Sequence, residues 1–187
     1  IYDPACGTGG MLLEAIHHVQ ETRGDVRTLW GRLYGQEKNL TTSAIARMNL
    51  FLHGVGPVDD LRTAPIKGGE DSLRNEPSTT VDVVLTNPPF GKKSSITVVN
   101  GEGESDKESI TYNRPDFWTT TSNKQLNFVQ HIKSVLKIHG RAAVVVPDNV
   151  LFEGGAGEKI RRKLLQELEV HTILRLPTGI FYAQGVK

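Results

Sequence analysis

The chain is most tightly constrained at Asp82-Val83-Val84-Leu85-Thr86-Asn87-Pro88-Pro89-Phe90, an apolar run closed by two consecutive prolines. Val83, Val84 and Leu85 read as a strand buried on both faces. Neither proline can donate to a ladder and each fixes φ, so the chain must leave the sheet at Asn87. Open sheets of this kind place their ligands beyond the carboxyl ends of the strands. The turn there presents the Asn87 amide, the Pro88 carbonyl and the Phe90 ring from a stiff corner that Pro89 completes. Such a set suits a planar ring bearing an exocyclic amine: two acceptors meet the two amine hydrogens and Phe90 stacks on the ring. A ligand-free, Pro-rich strand exit with a buried Phe would carry the same residues.

A second constraint lies at the start, Ile1-Tyr2-Asp3-Pro4-Ala5-Cys6-Gly7-Thr8-Gly9-Gly10, after which Met11, Leu12, Ala15, Ile16 and Val19 recur at helical spacing. Strand, turn and helix follow one another. Gly7, Gly9 and Gly10 let the backbone turn tightly and expose N–H groups at a helix N-terminus, where a carboxylate is favoured. Asp3, at the strand end, suits a cationic group such as an α-amino and is a poor neighbour for a pyrophosphate. An amino-acid moiety therefore fits better than a dinucleotide. Leu33 to Glu37 forms a short second strand ending in a carboxylate, the position from which Glu37 could accept both hydroxyls of a ribose.

A helix is expected from Thr41 to Gly54, opened by hydroxyl residues, with Ile45, Met48 and Leu52 on one face. Arg62 to Lys67 reads as a strand that Pro65 confines to an edge. Asp71, with Ser72 beside it, falls where a third strand ends, and its carboxylate could accept from an adenine amine. Gly91 to Lys124 is polar and aperiodic, which predicts a long mobile loop containing Lys92, Lys93, Phe117 and Trp118. The two aromatics are either a packing anchor or a contact surface. A helix over Lys124–Lys137, stopped by Gly140, precedes a buried strand over Ala142–Val146. Pro147 to Gly157 reads as loop. Ile160, Leu164, Leu165 and Leu168 mark a helix with a solvated basic face of Lys159, Arg161, Arg162 and Lys163. Val170 to Leu176 reads as a last strand, followed by loop to Gly185.

With 187 residues, the chain suffices for one domain with a substantial core. A hydrophobic fraction of 37%, a charged fraction of 23% and a mean hydropathy of −0.30 are those of a soluble protein without a membrane span. The chain opens on Ile1 inside a strand, as an excised piece of a longer protein would. One cysteine, Cys6, excludes an internal disulfide and a CxxC pair, fits a reducing cytoplasm and is most simply a packing residue. The six histidines lack metal-binding spacing, so no metal is expected, and a net charge of +1 does not by itself mark a nucleic-acid binder.

Alternating strands and helices with these landmarks predict an α/β, Rossmann-like domain: a mostly parallel sheet with helices on both faces. The pattern resembles the S-adenosylmethionine-dependent methyltransferase fold. Asp3-Pro-Ala-Cys-Gly-Thr-Gly-Gly10, Gly35-Gln-Glu-Lys-Asn39, Arg47-Met-Asn-Leu50, Asn87-Pro-Pro-Phe-Gly91, Arg114-Pro-Asp-Phe-Trp118, Val144-Val-Val-Pro-Asp148 and Leu176-Pro-Thr-Gly-Ile-Phe181 go further. Together they resemble the modification subunit of type I restriction-modification systems, and they span nearly the whole chain. Thr8 replaces a more frequent Ser.

The resemblance implies methylation of the exocyclic N6 amine of a flipped-out adenine in DNA, with S-adenosylmethionine as donor. It also implies assembly with a specificity subunit, a restriction subunit and a second modification subunit. It assigns Asp3, Ala5, Gly7, Thr8, Gly9, Gly10 and Glu37, with Asp71 and Ser72, to the cofactor, and Asn87, Pro88, Pro89 and Phe90 to the adenine. Relative to that family the fragment would lack the N-terminal helical region and the last strand and tail. Methylation of another planar amine, in a protein glutamine or an RNA base, and a catalytically inactive assembly subunit are the alternatives.

Overall fold

The structure, a computed structural model, describes residues 1–55, 65–91, 95–99, 105–109, 111–177 and 179–180, with backbone only for 95–99 and 105–109. Lys92, Lys93, the residues 62–64 of the expected edge strand and the segment from Phe181 lie outside the described residues. The chain divides into two compact units, Ile1–Pro88 with Ile132–Val145, and Pro89–His131 with Val146–Lys187.

The first unit is built on a five-stranded sheet in the order β3-β2-β1-β4-β7, every pair parallel. Its strands are β1 (Tyr2–Asp3), β2 (Tyr34–Glu37), β3 (Ile66–Gly68), β4 (Val81–Thr86) and β7 (Leu136–Val144). Helix α1 (Gly10–Glu21) connects β1 to β2, and α2 (Leu40–Leu52) connects β2 to β3. Successive strands move outward from β1 to β3, and the chain then returns to place β4 on the other side of β1. That reversal makes the β1–β4 pair the topological switch point, beyond whose carboxyl ends open sheets of this kind place their ligands.

Alternation along the central strands shows why both faces are covered. Ile1 and Leu85 pack with Leu12 and Ile16 of α1 and Ala46 and Leu50 of α2. Tyr2 and Val84 pack instead with Ile132 and Val135, at the end of α3 (Lys124–Val135). The double-sided burial expected of Val83 to Leu85 is therefore present, and β3, next to Pro65, is an edge strand as expected.

Helix α2 departs from expectation. Ile45, Met48 and Leu52 are exposed, and the buried residues are Ser43, Ala46 and Leu50. Close approach explains the choice: a Cβ on Gly68 would stand 2.1 Å from Ser43 Oγ, and one on Gly9 would stand 3.6 Å from Ala46 Cβ. The helix needs small residues where the sheet and the glycine turn press against it. Its N-cap is Asn39, whose side chain accepts from the Thr42 N–H, and not one of the hydroxyl residues.

Strand β7 begins at Leu136, directly after α3, earlier than the expected Ala142. Its ladder with β4 shifts register between the pairs Val81–Leu136 and Val83–Arg141. His139 at φ +64 and Gly140 occupy this irregularity, and a Cβ on Gly140 would lie 2.9 Å from the Lys137 carbonyl oxygen. Gly140 thus serves a kink in a strand and does not end a helix.

In the second unit, Gly91–Lys124 is not loop throughout. Ser95–Val99 (β5) and Ser105–Ser109 (β6) form an antiparallel ladder. Residues 111–123 are then pinned by polar side chains of α3. Gln130 bonds both the N–H and the carbonyl of Thr119, and Asn127 Nδ2 donates to the Thr121 carbonyl at 2.9 Å. Buried Arg114 grips Asp116 through Nε and Nη2, donates to His131 Nδ1 at 3.0 Å and lies 4.1 Å above the Phe117 ring. Trp118 packs on the Leu126, Val150 and Ile160 cluster while its N–H meets the Glu167 carboxylate. Both aromatics are packing anchors.

The expected loop before Gly157 contains a short helix, α4 (Asn149–Phe152), and α5 spans Ala156–Glu167. On the basic face of α5, Arg161 is turned inward, donating to the Val150 and Glu153 carbonyls. Val170 to Leu176 is not a strand: it has no ladder partner among the described residues, and Ile173 and Leu174 are exposed.

Candidate active site

The carboxyl ends of β1, β2 and β4 in the first unit each carry a polar side chain with a defined setting. Asp3 closes β1, and its carboxylate is buried. Oδ1 accepts from Thr86 Oγ1 at 2.6 Å and from the Ala5 N–H at 3.0 Å. The Thr86 contact joins the ends of β1 and β4 across the switch point. Burial pushes the Asp3 carboxyl up to about 6, opposed by the Thr86 and Ala5 hydrogen bonds and helped by the charge of Glu37. At neutral pH the group is mainly a desolvated anion, and a cation placed beside it would be stabilised.

The glycine turn follows. Gly7 and Gly9 adopt φ +54 and +91, conformations that L side chains rarely reach. The Gly9 N–H closes the turn on the Cys6 carbonyl at 2.8 Å, and exposed Gly10 starts α1. Thr8 is exposed, and its carbonyl accepts from Asn49 Nδ2 of α2 at 2.9 Å. Cys6 is buried against β2, where a Cβ on Gly35 would come within 2.9 Å of its Sγ. Burial first, then Asp3 and Glu37, push its thiol up to about 12. It is a packing residue, as expected, and not a nucleophile.

Glu37 ends β2 with its carboxylate on the glycine turn. Oε2 accepts from the Gly7 N–H at 3.1 Å, and Oε1 from the Asn39 N–H at 2.8 Å. A carboxylate offers about four acceptor positions, so one on each oxygen remains for a pair of hydroxyls. Asp71, just after β3, uses Oδ1 to accept from the Leu73 N–H at 3.0 Å, and Lys38 Nζ stands 3.5 Å from its Oδ2. Ser72 beside it is buried.

At the end of β4 the chain passes through half-buried Asn87 and buried Pro88. Asn87 Oδ1 is buried and has no hydrogen-bond partner among the described residues. A buried carbonyl oxygen without a donor is costly and uncommon, and marks a position where a donor is missing. Pro89, exposed, and Phe90, half-buried, open the second unit, where the Pro89 carbonyl accepts from Gln125 Nε2 at 3.2 Å. Thr86, Asn39 and Asn49 lie inside the quoted stretches without a role of their own, and Gln125 lies outside them; each acts on a neighbour that had one.

The family model for N-6 DNA methylases matches residues 1–187. The chain belongs to the N-6 DNA methylase family. Among its relatives is the StySPI methylase subunit of a type I restriction enzyme from Salmonella potsdam, 42% identical over all of this chain and 34% of the relative. The EcoKI methylase subunit of Escherichia coli K12 is likewise 42% identical over the same shares. The MpnII methylase subunit of Mycoplasma pneumoniae is 29% identical, again over the whole chain and 34% of the relative. The crystal structure of the EcoKI M protein superimposes with a TM-score of 0.77 over 99% of this chain and 37% of that one. This N-6 DNA methylase chain thus spans about a third of the length of these relatives.

The family implies a methyl donor. The donor set contains a desolvated carboxylate for a cation, positive-φ glycines before a helix N-terminus for a carboxylate, and two acceptor oxygens on Glu37 for a diol. Among the described residues no group of His, Cys, Asp and Glu could hold a metal ion, and no helix is long and apolar enough to cross a membrane.

Proposed function

We propose that the protein carrying this chain methylates the N6 amine of adenine in DNA, as the modification subunit of a type I restriction-modification system. The observation that carries this reading is the buried, unpartnered Oδ1 of Asn87, one residue beyond the Thr86 that is bonded to Asp3. An acceptor held dry at the strand end is what an exocyclic amine requires. S-adenosylmethionine would supply a methyl group on a sulfonium centre. Asp3 and the N–H groups of Thr8 and Gly10, with Ala5, Gly7 and Gly9 shaping the turn, hold its amino-acid part, Glu37 its ribose, and Asp71 with Ser72 its base.

The adenine amine is a weak nucleophile because its lone pair is delocalised into the ring. Asn87 Oδ1 and the Pro88 carbonyl accept its two hydrogens, which favours the pyramidal nitrogen whose lone pair attacks. Pro89 stiffens the turn, and Phe90 stacks on the extrahelical base. No covalent enzyme intermediate is needed, in keeping with the inert Cys6. Positioning supplies most of the rate.

The net charge of +1 provides few phosphate contacts, which supports delegation of sequence reading to a specificity subunit. The assembly proposed is two modification subunits with that subunit on DNA, joined by a restriction subunit for cleavage, in the cytoplasm.

Calorimetric titration of the whole protein with S-adenosylmethionine tests the cofactor half of this reading. Glu37→Ala is expected to weaken binding by about 1.5–3 kcal/mol, the scale of hydrogen bonds to a charged group. Parental affinity in that variant would take Glu37 out of the site.

A further inference from the structure

Four polar side chains at the start of α3, Asn123 just before it and Gln125, Asn127 and Gln130 within it, are buried, and three of them complete local structure. Asn123 Oδ1 accepts from the Leu126 N–H and its Nδ2 donates to Glu153 Oε2 at 2.5 Å. Asn127 and Gln130 bind the backbone of Thr121 and Thr119. Gln125 differs. Its Nε2 donates to the Pro89 carbonyl at 3.2 Å, while its buried Oε1 has no partner among the described residues. Turning the amide over would set Oε1 against the Pro89 oxygen, so the Pro89 contact dictates the orientation even at the cost of an unpaired acceptor.

We infer that Gln125 is a positioning residue for methyl transfer, holding the peptide that carries Phe90 through its hydrogen bond to the Pro89 carbonyl. The inference rests on the adenine reading of this turn. The pyrrolidine ring of Pro89 fixes φ, which leaves ψ as the soft torsion that aims Phe90. A hydrogen bond on the Pro89 carbonyl removes that freedom. Gln125 is itself anchored, because it leaves the first turn of α3 next to Asn123, whose bonds to Leu126 and Glu153 fix that turn. The direction of Phe90 is thereby set before a base arrives.

The test uses the whole protein with its partner subunits, DNA from a methylation-deficient strain and labelled S-adenosylmethionine, in single-turnover mode. Gln125→Glu keeps the shape and replaces the donor by an acceptor facing a carbonyl. It is expected to lower the transfer rate at least tenfold while the Kd for S-adenosylmethionine stays within twofold. Gln125→Leu, which buries no charge, gives the same reading if the glutamate variant does not fold. A folded variant transferring at the parental rate would overturn the inference, as would a rate loss matched by an equal loss of cofactor affinity. Asn87→Ala run alongside separates the two levels. If it slows transfer and Gln125→Glu does not, the Gln125 role alone falls; if it transfers at the parental rate, the adenine reading falls first.

Discussion

Asn87→Ala is expected to slow methyl transfer by on the order of 10²–10³-fold, the scale lost when one preorganised hydrogen-bonding group is removed from a transition state. The reason is the buried Oδ1, without a partner among the described residues. In the resting protein this oxygen gains nothing from its environment, and its contact with the amine strengthens as that nitrogen becomes pyramidal. The interaction belongs to the transition state more than to the ground state, so the loss falls on kcat and leaves cofactor and DNA affinity nearly unchanged. Removing a buried, unsatisfied oxygen also relieves a desolvation cost, so the variant should unfold at no lower temperature than the parent. Single-turnover transfer and thermal denaturation on the same preparation check both statements. A variant with parental rate and lowered stability would make Asn87 a structural residue.

Asp3→Asn is expected to stabilise the fold at neutral pH and to impair the cofactor site. The Asp3 carboxyl is raised from an ordinary 3.8 to about 6, chiefly by burial. Its unfolded form therefore loses the proton at lower pH than its folded form. Its contribution to stability is complete below pH 4 and is lost as pH rises through about 6. That difference corresponds to about 3 kcal/mol. Asparagine can still accept from Thr86 and Ala5 and carries no charge to desolvate. At pH 7.5 the variant should gain up to about 3 kcal/mol, and at pH 4 the gain should vanish. Affinity for S-adenosylmethionine should fall about tenfold to a hundredfold, the equivalent of a lost charge-assisted hydrogen bond. Melting temperatures at the two pH values and calorimetry at pH 7.5 are the measurements. An equal melting shift at both would remove the charge from the account.

The fold's landmarks were legible because they are local. A glycine turn before a periodic helix, a carboxylate at the end of β2 and two prolines after an apolar run each state their backbone geometry in a few adjacent residues. The buried face of α2 was not legible, because Ser43 and Ala46 are buried for their smallness against Gly9 and Gly68, contacts made with distant parts of the chain. Ile45, Met48 and Leu52, all exposed, gave a misleading apolar stripe. Val170 to Leu176 failed as a strand for a related reason: apolar residues permit a strand, but pairing makes one. At the site, residue identities were readable and their linkage was not. No spacing rule foretells that Thr86 bonds Asp3, that Glu37 grips the Gly7 N–H or that Gln125 reaches the Pro89 carbonyl.

The claim that joins these parts is that the Asn87 turn presents an adenine amine to a methyl group. The whole protein, assembled with its partner subunits, is incubated with labelled S-adenosylmethionine and a mixture of DNA, RNA and protein. Each fraction is then digested and its labelled product identified. The account predicts label in DNA alone, recovered as N6-methyladenine and reduced by Asn87→Ala. Label in another DNA base, in RNA or in a protein glutamine, undiminished by that substitution, would contradict it.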